Sequence, residues 1–257
     1  MRGSWIAVLI AGLCSAATAE PANKTFDALI AAYPDRIAGY NLAEIVWRDG
    51  FRQVIGPNEP DKPFERQVSE ASIRDIFRLR YPAFAPIAAP PENFDPGRFR
   101  SKAFFDRLYG DCRKGEIEPK LVEVSWLPKS WGHMVKIAPR AAEALRAVSD
   151  EIDAMPEAIR HAAYPTAGTY VCRGVADQGQ PSMHAYGAAI DLNLDYSDYW
   201  LWDAHGKSAP VWRNRMPRDV VEAFERHGFI WGGRWYHYDT MHFEYRPELL
   251  AAPAPSR

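Results

Sequence analysis

The spacing of apolar residues along the chain predicts several helices. Residues 139–155 have apolar positions at helical spacing, with Pro139 in the first turn, where a helix tolerates proline, and Pro156 just beyond the end. Residues 217–227 predict a second helix, closed by Gly228 as its C-terminal cap. The same spacing predicts a short helix that carries Phe104, Phe105 and Leu108.

Shorter apolar runs predict strands in the first half of the chain. Residues 45–55 have the pattern of a β-hairpin, with Asp49-Gly50 as its two-residue turn. Residues 121–126 predict a further strand. Between these two regions, residues 82–96 contain several prolines and predict an extended surface loop.

The sequence contains no internal repeat, low-complexity tract or long linker that would divide it. We expect residues 20–134 to form an N-terminal extension packed on a core of residues 135–250. Residues 251–257 are expected to form a flexible tail.

The first 19 residues have the pattern of a secretory signal. Arg2 precedes an apolar run at residues 5–13, and small residues lead to a cleavage position after Ala19. The run is shorter than the roughly 20 residues that a membrane span needs, and no other stretch is long and apolar enough. Cys14 suggests lipidation, but Leu13 stands where a lipobox has a small residue, so cleavage and export are the preferred interpretation.

Charge and composition then narrow the classes of function. Removing the signal leaves 30 basic and 33 acidic residues, and this small acidic excess argues against nucleic acid as a partner. The remaining chain is long enough to bury a core. Several of the nine tryptophans in the full sequence lie near the motifs described below, where most are expected in the core and some along a groove: Trp200, Trp202, Trp212, Trp231 and Trp235.

Two cysteines remain after the signal, Cys112 and Cys172. In an oxidising compartment an even pair favours a disulfide, which would tie the upstream region to the segment before Arg173. The alternative is two buried thiols that pack as small apolar residues.

The chemistry of the chain is concentrated in two short motifs. Residues 182–191 read SMHAYGAAID, and residues 239–244 read DTMHFE. Together they supply two imidazoles and several carboxylates, the donor types of a catalytic zinc site. Three protein ligands leave a fourth position for water, whose pKa the metal lowers to about 7. A nearby carboxylate can then accept its proton, so the motifs predict a hydrolase.

The spacing within the motifs constrains the local structure. His184 and Asp191 can share one metal only if the chain turns sharply, which Gly187 permits. Residues 188–194 predict a buried strand that carries Asp191, and residues 241–245 predict a strand entered from a turn at residues 239–240. On the second strand, the side chains two residues apart that share a face are His242 and Glu244.

These motifs, S-x-H-x-x-G-x-A-x-D and D-x-x-H-F-E, resemble those of the M15 zinc peptidases, the D-Ala-D-Ala carboxypeptidase group. The resemblance covers roughly residues 135–247. It implies an α+β fold of the hedgehog/DD-peptidase type, an antiparallel sheet with flanking helices. It also implies Zn²⁺ as cofactor, His184, Asp191 and His242 as its ligands, and Asp239 as general base.

The same resemblance implies a peptidoglycan stem peptide as substrate, cleaved at D-Ala-D-Ala or at L-Ala-D-Glu. Cleavage at L-Ala-D-Glu is the activity of the endopeptidase branch of the family. An aspartate as base and the run GFIWGGRW at residues 228–235 favour that branch without deciding between the two cleavage sites. Arg173 lies where the family has an arginine that supports the oxyanion, and either Gln178 or Gln180 corresponds to the usual glutamine. Ser182 and Trp235 are further candidates for substrate contacts.

The same motifs and their neighbours allow other assignments. His237 and His205 are competing ligand candidates, although His237 is expected beside Trp235 in the cleft. Glu244 follows the histidine and is expected to support a ligand rather than act as base. A zinc-stabilised cell-wall binding module is the alternative function. The N-terminal extension would either shape the cleft or contact the cell wall, and the oligomeric state is not predicted.

Overall fold

The structure is a computed structural model that describes residues 24–173, 180–203 and 211–251. The predicted signal therefore lies outside the described residues. The α-helices in the described part are α1 (Asp27–Ala32), α2 (Phe64–Ser69), α3 (Lys102–Tyr109), α4 (Pro139–Asp153), α5 (Glu157–Arg160), α6 (Trp200–Asp203), α7 (Arg218–Arg226) and α8 (Pro247–Ala251). Short 3₁₀ helices lie at Lys24–Phe26, Asp75–Phe77, Cys112–Lys114, Glu118–Lys120, His161–Ala163, Met183–Tyr186, Leu194–Tyr196 and Gly232–Arg234.

The strands form three small antiparallel sheets. They are β1 (Ile37–Tyr40), β2 (Glu44–Trp47), β3 (Arg52–Val54), β4 (Val122–Trp126), β5 (His133–Ile137), β6 (Ala189–Asp191), β7 (Phe229–Trp231) and β8 (His242–Tyr245). The first sheet has the order β1-β2-β3, the second is the hairpin β4-β5, and the third has the order β6-β8-β7. The mixture of helices with antiparallel sheets is the α+β class that the sequence predicts.

The predicted helices are confirmed: α3, α4 and α7 agree with them to within a few residues. The predicted hairpin is also present, but its turn differs. Trp47 N–H donates to the Phe51 carbonyl oxygen at 2.9 Å, so the loop has three residues instead of two. Gly50 has a φ of +85° there, a left-handed conformation that closes such a loop. The strand predicted at 188–194 ends early, because the chain turns into a 3₁₀ helix at Leu194.

Two apolar clusters form the core. One lies under α4, α7 and the third sheet, and contains Trp126, Leu145, Val221, Phe224 and Phe243. The other joins residues from the N-terminal region to residues in and around the two motifs, and its members include Tyr33, Trp47, Phe104, Met183, Tyr186 and Ile230. The expected boundary at residue 134 falls within β5, which pairs with β4, so the hairpin continues across it. The residues before and after that boundary therefore share a core.

The proline-containing stretch at residues 82–96 has no helix or strand, as predicted, but it is not wholly on the surface. Asp95, near its end, is fully buried. The Phe84 N–H donates to Glu225 in α7 at 2.7 Å, and the Ala85 carbonyl oxygen accepts from Arg234 at 3.1 Å. These hydrogen bonds attach the loop to Glu225 and Arg234, so part of it is buried. Among the described residues, no helix is both long and apolar enough to cross a membrane.

A buried ionic network connects residues from the N-terminal region with residues of β8 and α8. Arg246, fully buried, donates to Glu244 at 2.9 Å and to Glu248 at 2.5 Å. Tyr33 directly follows α1, and its hydroxyl donates a 2.6 Å hydrogen bond to Glu248. Arg100, before α3, pairs with Glu244 from the other side. Because each charge has a partner of opposite sign, the network tolerates burial.

We predict that Arg246→Met lowers the free energy of unfolding by about 3–5 kcal/mol, because it leaves two carboxylates buried with one partner fewer. Urea denaturation followed by circular dichroism measures this. Arg218→Met is the matched control, since Arg218 is exposed and its ionic partner among the described residues is Glu222, one helical turn away; its cost should stay below about 1 kcal/mol. Equal losses in the two variants would contradict the importance of the buried network.

Candidate metal centre

The structure brings together three of the side chains singled out in the sequence. His184 Nε2, Asp191 Oδ1 and His242 Nδ1 form a triangle in which each pair of atoms is 3.1 Å apart. Four-coordinate zinc with ligand distances of about 2.0 Å has neighbouring donor atoms about 3.3 Å apart, from tetrahedral geometry. The triangle thus has the size of one face of a metal tetrahedron, and these residues could hold a metal ion.

The outer nitrogens of both imidazoles are occupied. His184 Nδ1–H donates to the Thr169 carbonyl oxygen at 2.7 Å, and His242 Nε2–H donates to Glu244 at 2.9 Å. These acceptors fix the tautomers, so a neutral ring directs the lone pair of its other nitrogen into the triangle. Two lone pairs facing each other at 3.1 Å repel unless a cation lies between them. The donor set therefore fits a metal ion.

The charges around the triangle also favour a cation. Burial alone would raise the pKa of the Asp191 carboxyl, but the adjacent imidazoles of His184 and His242 outweigh it and hold that pKa below its usual value. Burial would lower the pKa of His242, whereas its hydrogen bonds to Asp191 and Glu244 raise it to about 10. A positive charge in this position is stabilised, whether a proton or a metal ion supplies it.

Local structure places the ligands. In the pairing of β6 with β8, Asp191 lies directly opposite His242. His184 belongs to the 3₁₀ helix Met183–Tyr186, where its N–H donates to the Ser182 hydroxyl at 3.3 Å. Gly187 ends that helix with a φ of +63°, and a Cβ there would lie 2.5 Å from Leu121. A glycine is needed both for the turn and for this close approach.

Asp239 lies in the same cleft as the three ligands, at the turn before β8. Its N–H donates to the Gly232 carbonyl oxygen at 3.1 Å, and its own carbonyl oxygen accepts from the His242 N–H at 3.2 Å. Within the described part of the chain, its Oδ1 is buried without a hydrogen-bond partner. Burial and the negative charge of Asp191 raise the pKa of Asp239 to about 6. A carboxylate with this pKa is suited to accept a proton near neutral pH.

The remaining candidates have different positions. Arg173, Ser182 and Trp235 line the cleft, with Arg173 exposed at its edge. Gln180 does not line the cleft; its amide donates to the Ser69 carbonyl oxygen at the end of α2. His237 lines the cleft but lies outside the metal triangle, since its Nδ1–H donates to Asp95 at 2.6 Å. Gln178 and His205 lie outside the described residues.

Cys112 and Cys172 form a disulfide, with Cα atoms 5.7 Å apart. The bond joins the 3₁₀ helix after α3 to the residue immediately before Arg173. It therefore fixes the backbone from which the Arg173 side chain extends towards the cleft.

Sequence reasoning missed two arginines of the cleft, Arg98 and Arg100. Both are almost fully buried, and both guanidinium groups lie over the Trp235 ring, at 5.6 and 5.8 Å from its centre. Arg98 donates to the His237 carbonyl oxygen at 3.3 Å, and Arg100 pairs with Glu244. The alternation Arg-Phe-Arg at residues 98–100 was the available signal, because in extended chain it places both charges on one side.

Comparison with known proteins identifies one related family. The sequence model of a family described as D-alanyl-D-alanine carboxypeptidase, within the M15 peptidases, matches residues 176–245. The matched segment contains His184, Asp191, Asp239 and His242, and excludes Arg98, Arg100 and Arg173. No curated protein matches the chain.

Gly232 provides a test of how Asp239 is positioned. A Cβ at residue 232 would lie 2.5 Å from the Asp239 carbonyl oxygen and 3.2 Å from its Cβ. We predict that Gly232→Ala displaces the turn and lowers the free energy of unfolding by about 1–3 kcal/mol. Gly39→Ala is the control, because nothing lies within 4 Å of a Cβ there; thermal unfolding should show no comparable loss. A Gly232→Ala protein as stable as the control would mean that this contact does not constrain Asp239.

Proposed function

We propose that this chain, whose residues 176–245 match the M15 peptidase family model, is a zinc-dependent hydrolase of peptidoglycan stem peptides. One observation carries the proposal: a carboxylate with an unpartnered buried oxygen, Asp239, shares a cleft with the triangle of His184, Asp191 and His242. The triangle accounts for metal binding, and the spare carboxylate accounts for proton transfer. The scissile bond is either D-Ala-D-Ala or L-Ala-D-Glu.

In the proposed mechanism, His184 Nε2, Asp191 Oδ1 and His242 Nδ1 would hold the zinc ion. When bound, zinc supplies Lewis acidity and lowers the pKa of a water molecule. Asp239 accepts the proton of the attacking water on a carboxylate oxygen and passes it to the departing amine. Arg173, at the cleft edge, stabilises the negative charge that develops on the carbonyl oxygen of the substrate.

Substrate contacts would come from the walls of the cleft. Ser182 and Trp235 both line it, although the Ser182 hydroxyl already accepts from the His184 N–H and the Trp235 indole donates to the Pro96 carbonyl oxygen at 2.6 Å. Trp235 would then offer a ring face rather than a hydrogen bond. Gln180 has its amide directed to α2, so we assign it no substrate contact in this conformation.

We further propose that β6, β8 and β7 are the central sheet of a hedgehog/DD-peptidase type core, with residues 20–134 as an extension packed on it. Export after cleavage near Ala19 is part of the proposal. The Cys112–Cys172 disulfide supports it, because such bonds persist in oxidising compartments. Export would place the enzyme where peptidoglycan is found.

The alternative function is a non-catalytic, zinc-stabilised cell-wall binding module. A structural zinc is normally closed by four protein ligands. The described residues offer a group of three, and His237, the competing ligand that the sequence suggested, is already hydrogen-bonded to Asp95. A group of three candidate ligands, rather than four, beside Asp239 favours catalysis over a structural role.

Cleavage assays on defined stem peptides test the proposal directly. The purified protein is incubated with peptides ending in D-Ala-D-Ala and with peptides containing L-Ala-D-Glu, and the products are identified by mass spectrometry. We expect one bond to be cut, the activity to disappear with a chelator, and zinc to restore it. Stoichiometric zinc binding with no cleavage of either peptide would instead support the binding module.

Asp239→Asn separates metal binding from proton transfer. We expect this variant to retain zinc in equilibrium dialysis, because Asp239 is not a member of the triangle, and to lose about 10²–10⁴-fold in kcat. Asp195→Asn changes an exposed carboxylate that does not line the cleft; it serves as the control and should keep full activity. Normal turnover by Asp239→Asn would exclude Asp239 as the general base.

A further inference from the structure

A second cavity of about 300 Å³ lies beside the 3₁₀ helix that carries His184. That helix contributes His184 to the metal cleft and Tyr186 to the second cavity. The volume is at the lower end of the range of about 300–1,000 Å³ that is typical of small-molecule sites. No member of the metal triangle, and no other residue assigned above to catalysis, lines it.

The charges that line this cavity are all positive. Arg36, Lys120 and Arg140 are its charged residues, and no carboxylate is among the lining residues. Arg140 is neutralised by Asp35, through hydrogen bonds of 2.8 and 2.7 Å. Arg36 donates to the Arg107 carbonyl oxygen at 2.9 Å. Among the residues that the structure describes, Lys120 has no carboxylate partner, and its Nζ contacts only the Tyr109 carbonyl oxygen at 3.4 Å. The positive charges of Arg36 and Lys120 are therefore not balanced by a carboxylate in the described structure.

Two further features favour an anion in this cavity. The cavity includes the first residues of α4, a helix of 15 residues with no side-chain cap and no acidic residue in its first turn. Pro139 has no N–H and the Ala138 N–H donates to the Gly187 carbonyl oxygen, so this helix end contributes the positive end of its dipole rather than free donors. Tyr109 is a lining residue with only 8% of its surface exposed, and its hydroxyl is buried without a partner among the described residues. Burial raises the pKa of Tyr109, so this hydroxyl keeps its proton and can donate it.

The rest of the lining is apolar. Leu108, Ile117 and Ala138 are buried, and Leu121 is half-buried. A free inorganic anion would leave this surface uncovered, and an uncharged apolar molecule would leave the cations without a partner. The lining of the cavity therefore matches a ligand that has both a negatively charged group and an apolar group.

We propose that this cavity binds a small amphipathic molecule, in which a carboxylate or phosphate head group is attached to an apolar body. The head group pairs with Lys120 and Arg36 near the start of α4, and the apolar body covers Leu108, Ile117 and Leu121. The site is independent of the proposed peptidase activity, because none of its residues holds the metal or lines the cleft.

Calorimetric titration of the full chain with octanoate, octyl phosphate and octanol tests the proposal. We expect at least one of the two anions to bind at least tenfold more tightly than octanol, which has the same chain without the charge. The tighter anion identifies the preferred head group. Octanol binding as tightly as both anions, or no binding of either anion, would overturn the proposal.

Substitutions then locate the binding site. Lys120→Gln should weaken anion binding about fivefold or more without changing octanol binding. Lys136→Gln is the control, because Lys136 is also exposed but lies outside the cavity. This variant should bind the anion as tightly as the unsubstituted chain does. Leu121→Glu places a carboxylate at a half-buried wall position and should abolish anion binding in a protein that is folded by circular dichroism. Unchanged anion affinity in Lys120→Gln and Leu121→Glu would show that the anion binds elsewhere.

Discussion

The candidate metal centre depends on a single buried carboxylate, Glu244 in β8. It accepts a hydrogen bond from His242 and is held by Arg100 and Arg246. Burial would raise the pKa of Glu244, but the charge of Arg100 and the contacts with His242 and Arg246 hold it well below its usual value. Glu244 therefore stays ionised, keeps the proton of His242 on Nε2, and directs Nδ1 into the triangle. Without it, the tautomer and orientation of one ligand would be undetermined.

This arrangement explains why the N-terminal residues cannot be separated from the site. Arg100 reaches Glu244 across 144 positions of sequence, and Tyr33 reaches the same network through Glu248. Asp95 fixes His237 beside the cleft in a similar way. The segment that matches the M15 family, residues 176–245, contains the metal triangle but not these supports. In this chain, residues before the matched segment therefore complete the wall of the cleft. They also supply partners to the side chains that orient the candidate ligands.

The sequence predicted what depends on local patterns. The spacing of apolar residues was enough for α4 and α7, and the two-residue period of a strand placed His242 and Glu244 on one face, as their 2.9 Å contact shows. It did not predict β1, a short strand with one buried side chain in four residues. Arg98 and Arg100 were also missed, because their importance comes from pairing with residues far along the chain, which a local pattern does not contain. Gln180 was assigned by analogy, and its amide bonds to α2.

Environment, more than motif position, distinguishes the carboxylates around the two histidines. Asp191 lies 3.1 Å from the inward-facing nitrogens of both imidazoles, and Glu244 accepts a hydrogen bond from His242 Nε2–H. The pKa of each of these two carboxyls is lowered. Asp239 has no such donor for its Oδ1 among the described residues, and its pKa is raised to about 6 by burial and by the charge of Asp191. A dication on the triangle would offset the charge of Asp191 and lower that pKa. Asp239 would then be ionised at neutral pH with an oxygen still free to accept a proton, the combination that a general base requires and that neither other carboxylate offers.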